Sequence, residues 1–325
     1  MAKQNRSVIV RNCLIISAVL CAIAFVLGFL KRGFEKPYYM KDKPEVVNVT
    51  RIEDITAKKD SVSNDKLVLL NDIRITDSSF GFGSGNDPFV GEFDGNGYTV
   101  VLDFEDGTSD AYSLFGCIGK GGVVKNTHFS FGSVTAASNS YAGIANVNYG
   151  TVTDCKIDFA RLKMRGNDGI FSPCVAVNYG TVSNVYVSCI FDCDTVEEME
   201  NKITFGSVCS YNYGILKNSI AMPVFSGLGC VDEANILLSG GRESCKIAAV
   251  CALTASTAQT GNSAAVLGDG IYTCDKNGGG ITVFASSGGL FDNSVIFNDL
   301  EFDNRIWSLS GNKLELISGG GNYAK

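Results

Sequence analysis

The single histidine, His128, is the first candidate for chemistry, because imidazole can move a proton near neutral pH. It stands between Thr127 and Phe129, outside any recognised serine or cysteine motif, and reads as a solvated residue on the outer face of a strand. Asp192, Asp194, Glu197, Glu198 and Glu200 could in principle pair for glycoside hydrolysis, but sequence leaves their separation open. A solvated acidic loop is the simpler reading. Asp94-Gly95-Asn96-Gly97 and Asp275-Lys276-Asn277-Gly278 open like calcium loops, yet neither reaches a closing glutamate, so both read as turns. Gly81-Phe82-Gly83-Ser84-Gly85-Asn86 lacks the Gly-Lys-Ser/Thr ending of a phosphate loop and reads as an excursion from the first coil. No catalytic set, metal site or cofactor is expected.

Twelve cysteines remain. Cys13 and Cys21 fall in an apolar N-terminal segment, which leaves ten elsewhere; none forms Cys-x-x-Cys, and one histidine cannot complete a mixed zinc site. Cys155 aligns with Val185, Ser219 and Thr127, and Cys209 with Val175 and Ala145. Cysteine in place of small inward residues points to free, buried thiols. A disulfide framework suits much shorter chains, although Cys189 and Cys193 lie close enough to pair.

These residues must be positioned by a repeat. Val147-Asn148-Tyr149-Gly150-Thr151-Val152 returns as Val177-Asn178-Tyr179-Gly180-Thr181-Val182 and as Tyr211-Asn212-Tyr213-Gly214-Ile215-Leu216. An aromatic precedes each motif tyrosine by eight positions (Tyr141, Phe171, Phe205), and Asp154, Asn184 or Asn218 follows each glycine by four. A fainter copy ends at Asn126. Self-similarity at this period means stacked units that cannot bury their apolar faces singly. Period-two apolar runs such as Val182, Val185 and Val187 specify short strands, and the Asn-Tyr-Gly triplets specify left-handed corners. Strands stacked about 4.8 Å apart give an all-β parallel solenoid, with Asn126, Asp154, Asn184 and Asn218 above one another as an amide ladder. Tyr149, Tyr179 and Tyr213 should form a column, read as corner packing or as outward aromatics for a glycan. From 222 to 290 the repeat degenerates, though Ile247-Ala248-Ala249-Val250-Cys251 echoes Phe205-Gly206-Ser207-Val208-Cys209.

Residues 12–30 carry no charge and would span about 28 Å as a helix, enough for a bilayer core. The stretch is long for a signal peptide and lacks a small-x-small cleavage site, so it reads as an uncleaved anchor. Residues 1–11 then lie in the cytoplasm and the solenoid outside, with 31–50 as a stalk and 51–325 as one domain. Setting aside Lys3, Arg6 and Arg11 leaves 24 Lys+Arg against 34 Asp+Glu, a net charge of −10 that disfavours nucleic acid. Thr50-Arg51-Ile52-Glu53 is a capping box opening a helix to about Lys59, expected to lid the first coil.

Asn71-Asp72-Ile73 followed by Phe89-Val90-Gly91-Glu92-Phe93-Asp94-Gly95-Asn96-Gly97-Tyr98 resembles the opening of GLUG-motif repeat proteins. Leu114-Phe115-Gly116-Cys117-Ile118 and the Gly-Thr-Val copies resemble that family's later repeats, from about Ile52 to Ala221. Trp307-Ser308-Leu309 with Leu314-Glu315-Leu316 resembles its closing hairpin, though the family's terminal proline is missing. The resemblance implies a right-handed β-helix on bacterial surface or secreted proteins, tied to adhesion or exported assemblies, with no catalytic residues. The expectation is therefore a membrane-anchored, non-catalytic adhesion or scaffold protein with a protein or glycan ligand, or one that self-assembles. A polysaccharide lyase or glycoside hydrolase is the enzymatic alternative, and a glycan-binding module the other.

Overall fold

Val152, Ile157, Phe159 and Leu162 all point inward and are fully or almost fully buried. Their counterparts one coil later, Val182, Val187, Cys189 and Phe191, occupy the same places. That repetition is the fold: a parallel β-solenoid of about four turns, in which each coil lends its neighbour the apolar surface it cannot bury itself. The computed structural model describes residues 44–56, 64–104, 108–109, 113–136, 140–164, 169–192, 203–226, 246–267, 270–274, 281–284, 293–310 and 313–317. The segments read as cytoplasmic terminus (1–11) and anchor (12–30), with most of the stalk, lie outside them. Among the described residues no helix is long and apolar enough to cross a membrane.

Each full coil visits three sheets in turn. Ser140–Ala142, Gly169–Ser172, Ile203–Gly206 and Lys246–Ala248 make the first; Ala145–Asn148, Val175–Asn178, Cys209–Asn212 and Cys251–Thr254 make the second, which Phe115–Ile118 extends. The third and longest sheet includes Val123–Ala136, Thr151–Met164, Thr181–Asp192, Ile220–Ser226 and Ala264–Leu267, all parallel. Aromatic rings stack between coils in the core, as Phe131 on Phe159 (4.5 Å) and Phe191 on Phe205 (3.8 Å). Aromatic pairs with the wider spacing of Phe131 and Phe159 add about 1 kcal/mol beyond their buried area.

Several expectations need correction. Val46–Val49 pairs in register with Lys66–Leu69, so the solenoid begins before residue 51 and takes in the end of the proposed stalk. The described part of the N-terminal helix is Glu53–Thr56, the stretch expected to carry it to Lys59 lying outside the described residues, and Asp54 rather than Glu53 completes the box by accepting from Thr50 N and Oγ1 (2.8 Å each). Its Ile55 is buried in the core alongside the first strands. The glycine-rich loop is no excursion: Phe82 and Phe89 pair with Phe115 and Ile118 and bury their rings, making an irregular rung of the second sheet.

The C-terminal hairpin exists, Trp307–Ser310 with Lys313–Leu316, but it does not sit on the end of the stack. Antiparallel strands Gly270–Cys274 and Ile281–Phe284 cover the last parallel edge at Ala264–Leu267 instead. The hairpin lies against the outer face of the long sheet. Trp307 is 1% exposed, and it buries with Ile296, Leu300, Phe302 and Leu314 against Tyr186, Ile220 and Ala264. Those three are outward residues of the long sheet that would otherwise meet water, which is the physical reason for a lateral clasp.

Candidate functional site

The Asn-Tyr-Gly triplets occupy one corner of the coil, and their three residues do three different jobs. Asn148, Asn178 and Asn212 point inward and are 0%, 0% and 1% exposed. Asn148 Nδ2 donates to Asn178 Oδ1 (2.8 Å), and Asn178 Nδ2 donates to Asn212 Oδ1 (2.9 Å). Each Oδ1 also accepts from the glycine N two residues on, at 3.0, 3.2 and 3.1 Å. A buried amide is costly unless its donors and acceptors are filled, and stacking identical coils fills them.

Gly150, Gly180 and Gly214 are required by close approach, which corrects the expectation of a left-handed corner. None of the three has positive φ, but a Cβ on each would lie under 3.0 Å from the carbonyl oxygen of the equivalent glycine one coil earlier. The left-handed residues are the Asx positions four further on. Asn126, Asp154, Asn184 and Asn218 share φ between 49° and 54°, and Asn96 and Asn262 extend the column at both ends. Asn262 escaped the sequence reading because spacings of 34 residues or fewer stretch to 44 from Asn218, whereas Asn96, an ordinary 30 residues before Asn126, sits inside the Asp-Gly-Asn-Gly stretch read as a turn.

This Asx column is not free for a ligand along its C-terminal half. Trp307 Nε1 donates to Asp154 Oδ1 (3.2 Å), Asn184 Nδ2 to Glu301 O (3.3 Å), and Asn218 Nδ2 to Glu301 Oε2 (3.1 Å). Burial pushes the Asp154 carboxyl up, against the pull of hydrogen bonds from Thr153, Trp307 and Asn184. The column is where the clasp is fastened.

Tyr149, Tyr179 and Tyr213 point outward from the same corner. Consecutive ring centroids are 4.9 Å apart at 9° and 13°, and the side chains are 50%, 47% and 44% exposed. Gly119 and Ala255 hold the equivalent places in the flanking coils, so the stack is three rings tall. Val147, Val177, Tyr211 and Leu253 border it on one side, and Thr151, Thr181, Ile215 and Gln259 on the other, Gln259 exposed, the rest partly so, and none charged. On a chain with net charge −7, an uncharged aromatic strip is the natural place for another surface to approach. Compared with protein-family models, curated proteins and solved structures, the chain matches none.

His128 is not simply solvated. On the outer face of the long sheet its Nδ1 meets Thr99 Oγ1 (3.3 Å) and its Nε2 meets Asp158 Oδ2 (2.8 Å). Ser188 Oγ donates to Asp158 Oδ1 (2.7 Å), and Lys156 Nζ lies 3.3 Å from Asp158 and bridges to Glu315 of the hairpin. With Asp158 anionic, the proton belongs on Nε2 and Nδ1 accepts from Thr99. Hydroxyl, imidazole and carboxylate in that order also occur in acyl transfer. Here the chain continues one group per coil into Ser188, as a ladder across coils does. Sequence could not show it, since Thr99, His128 and Asp158 carry no local motif.

Asp94 serves its turn rather than an ion: Oδ1 accepts from Asn96 N (2.9 Å) and Asn126 Nδ2 (3.2 Å), and Oδ2 lies 3.5 Å from Lys125 Nζ. Among the described residues no group of three or more His, Cys, Asp or Glu could hold a metal. Asp192 is buried and paired with Arg161 (2.8 Å); Asp194, Glu197, Glu198, Glu200 and the Asp275 turn lie outside the described residues.

The outer ladder sets a pH dependence. Burial alone would raise Asp158, but hydrogen bonds from His128 and Ser188 and the charge of Lys156 outweigh it and bring the carboxyl down to about 2. Its folded value lies below its ordinary 3.8, so its stabilising effect is complete above that value and is lost as pH falls towards 2. Because the group is partly exposed, about 1 kcal/mol is expected. Urea unfolding should show Asp158→Asn less stable than the native chain at pH 5, with the gap closing by pH 2. A gap independent of pH would contradict this assignment.

Proposed function

We propose that this chain is a membrane-anchored β-solenoid of the right-handed, GLUG-like kind, displayed outside the cell and working by surface recognition rather than catalysis. Residues 12–30 hold it in the membrane with the N-terminus inside, and the described coils form an adhesion or assembly scaffold. The observation that carries this reading is the uncharged strip of Tyr149, Tyr179 and Tyr213. Tyrosine offers large contact area at low entropic cost together with a polar tip, and exposed aromatics concentrate where proteins meet partners. The rest of the solenoid is a ruler that keeps the three rings in line.

A carbohydrate ligand is favoured by one further feature. Tyr211 and Tyr213 lie nearly parallel, 6° apart with centroids 6.5 Å from each other, beside the small Ala255 of the next coil. A broad aromatic platform suits the flat C–H face of a sugar ring, which makes a glycan-binding module the second reading.

The full-length chain carrying Tyr149→Ser, Tyr179→Ser and Tyr213→Ser tests both. Because the rings are half exposed, the solenoid should remain folded by circular dichroism. Binding to cells, to arrayed glycans or to sister molecules should weaken by at least about tenfold, the loss of roughly 1.4 kcal/mol or more. Undiminished binding in all three assays would overturn the proposed strip.

A further inference from the structure

Cys209 and Cys251 are direct partners in the register of the second sheet. Neighbouring parallel strands lie about 4.8 Å apart, which brings their Cα atoms within the range that disulfides span. The thiols behave alike: Cys209 Sγ donates to Tyr211 O (3.1 Å) and Cys251 Sγ to Leu253 O (3.4 Å), each two residues along its own strand. Two side chains with one rotamer habit in adjacent coils point the same way, so the sulfurs face each other across one coil spacing.

Their surroundings differ. Cys209 is fully buried, with Val175 one coil before it in the same column. Cys251 is partly exposed, and Cys251–Thr254 is the last strand of this sheet among the described residues. Cys251 is the less buried of the two thiols, so a small molecule arriving from solvent meets it first. The neighbouring Cys209 thiol, as a donor available to a Cys251 thiolate, draws the Cys251 thiol down, while burial drives Cys209 up. Cys155, Cys174 and Cys189 are buried in other places and pushed up by the same loss of solvation.

We propose that Cys209 and Cys251 are a disulfide-forming pair, with Cys251 as the entry thiol and Cys209 as the resolving one. The co-reactant is a small-molecule disulfide of the glutathione class. Cys251 thiolate attacks one of its sulfurs, forming a mixed disulfide and expelling one small thiolate. Cys209 then gives up its proton and attacks the Cys251 sulfur, expelling the second small thiolate. Two protein thiols are oxidised, one small disulfide is reduced to two thiols, and the protons released by the protein are taken up by the leaving thiolates. The new bond ties the last three-sheet coil to the one before it, adding a covalent link to the backbone ladder, the apolar packing and the Asn212 Nδ2 bond to Gln259 O that join them in the reduced protein. This inference does not depend on the role of the tyrosine strip.

The test is native oxidation of the full-length protein with oxidised glutathione, followed by alkylation of the remaining thiols, digestion and mass spectrometry. A peptide linking Cys209 to Cys251, abolished by dithiothreitol, is the expected product. Cys209→Ser should leave Cys251 carrying one glutathione, and Cys251→Ser should leave Cys209 as an alkylatable thiol. Serine is close to cysteine in size, and a thermal melt of each variant confirms that it is folded. Persistent glutathione on Cys251 of the native sequence, a link from Cys209 to Cys174, or both thiols still free would each overturn the pairing.

Discussion

Gly180→Ala should unfold this solenoid or cost it more than about 4 kcal/mol, an effect far outside the range of an ordinary surface substitution. An alanine Cβ there would stand under 3.0 Å from Gly150 O, from Tyr149 C and from Gly150 N, all backbone atoms of the preceding coil. Backbone cannot rotate aside as a side chain can. The same coils are joined at this corner by Tyr179 N to Asn148 O (2.8 Å) and Thr181 N to Gly150 O (2.9 Å), so making room means breaking the ladder. Overpacking of a tight interior already costs about 1–3 kcal/mol when side chains can yield. Gly85→Ala is the control, because nothing lies within 4 Å of its would-be Cβ and its φ is not positive. Urea unfolding should place Gly85→Ala within about 0.5 kcal/mol of the native chain. Similar curves for the two variants would refute the close-packed corner.

Asn178→Ala should cost about 3–5 kcal/mol, through unmade hydrogen bonds more than through lost volume. Asn178 stands in the middle of the buried amide row, accepting from Asn148 Nδ2 and Gly180 N and donating to Asn212 Oδ1 and Ile215 O. Alanine removes all four bonds from a dry interior, where a group left wholly unsatisfied costs about 1–3 kcal/mol before relaxation or water entry. Asn148 Nδ2 keeps its bond to Thr181 O, Gly180 N its bond to Asn148 O, and Asn212 Oδ1 its bond from Gly214 N, which is why the total stays below the sum of four full penalties. Differential scanning calorimetry and chemical unfolding would read the loss. A cost under about 1 kcal/mol would mean that the row is not a continuous chain of bonds.

Much of this architecture was written plainly in the residues. The Asn-Tyr-Gly copies gave the coil, the order of strands and the vertical alignment of Tyr149, Tyr179 and Tyr213, because a repeat records its own register. What each triplet residue does was less legible. Glycine near a corner suggests positive φ, but at Gly150 the requirement is room for a neighbouring carbonyl, and only stacking reveals that. The fastening of Trp307 to Asp154 spans 153 residues and has no sequence period, so the hairpin was legible as a hairpin and illegible as a lateral clasp. His128 followed the same logic. Its partners, Thr99 and Asp158, lie 29 and 30 residues away, and they become neighbours only once coils are laid in register.

The pairing of Cys209 with Cys251 sits between these cases. Ile247-Ala248-Ala249-Val250-Cys251 echoes Phe205-Gly206-Ser207-Val208-Cys209 closely enough to align the two thiols on paper. The long interval between them hides their closeness, since other coils repeat at 28 to 34 residues. An insertion lengthens a coil without changing which residues stack.

The most direct test is nuclear Overhauser spectroscopy on the native chain with ring-labelled tyrosine. Cross-peaks are expected between the rings of Tyr149 and Tyr179 and between those of Tyr179 and Tyr213, while Tyr149 and Tyr213, two coil spacings apart, should show none. Absence of the two neighbouring pairs, or a direct Tyr149–Tyr213 signal, would show that the coils do not lie in this register.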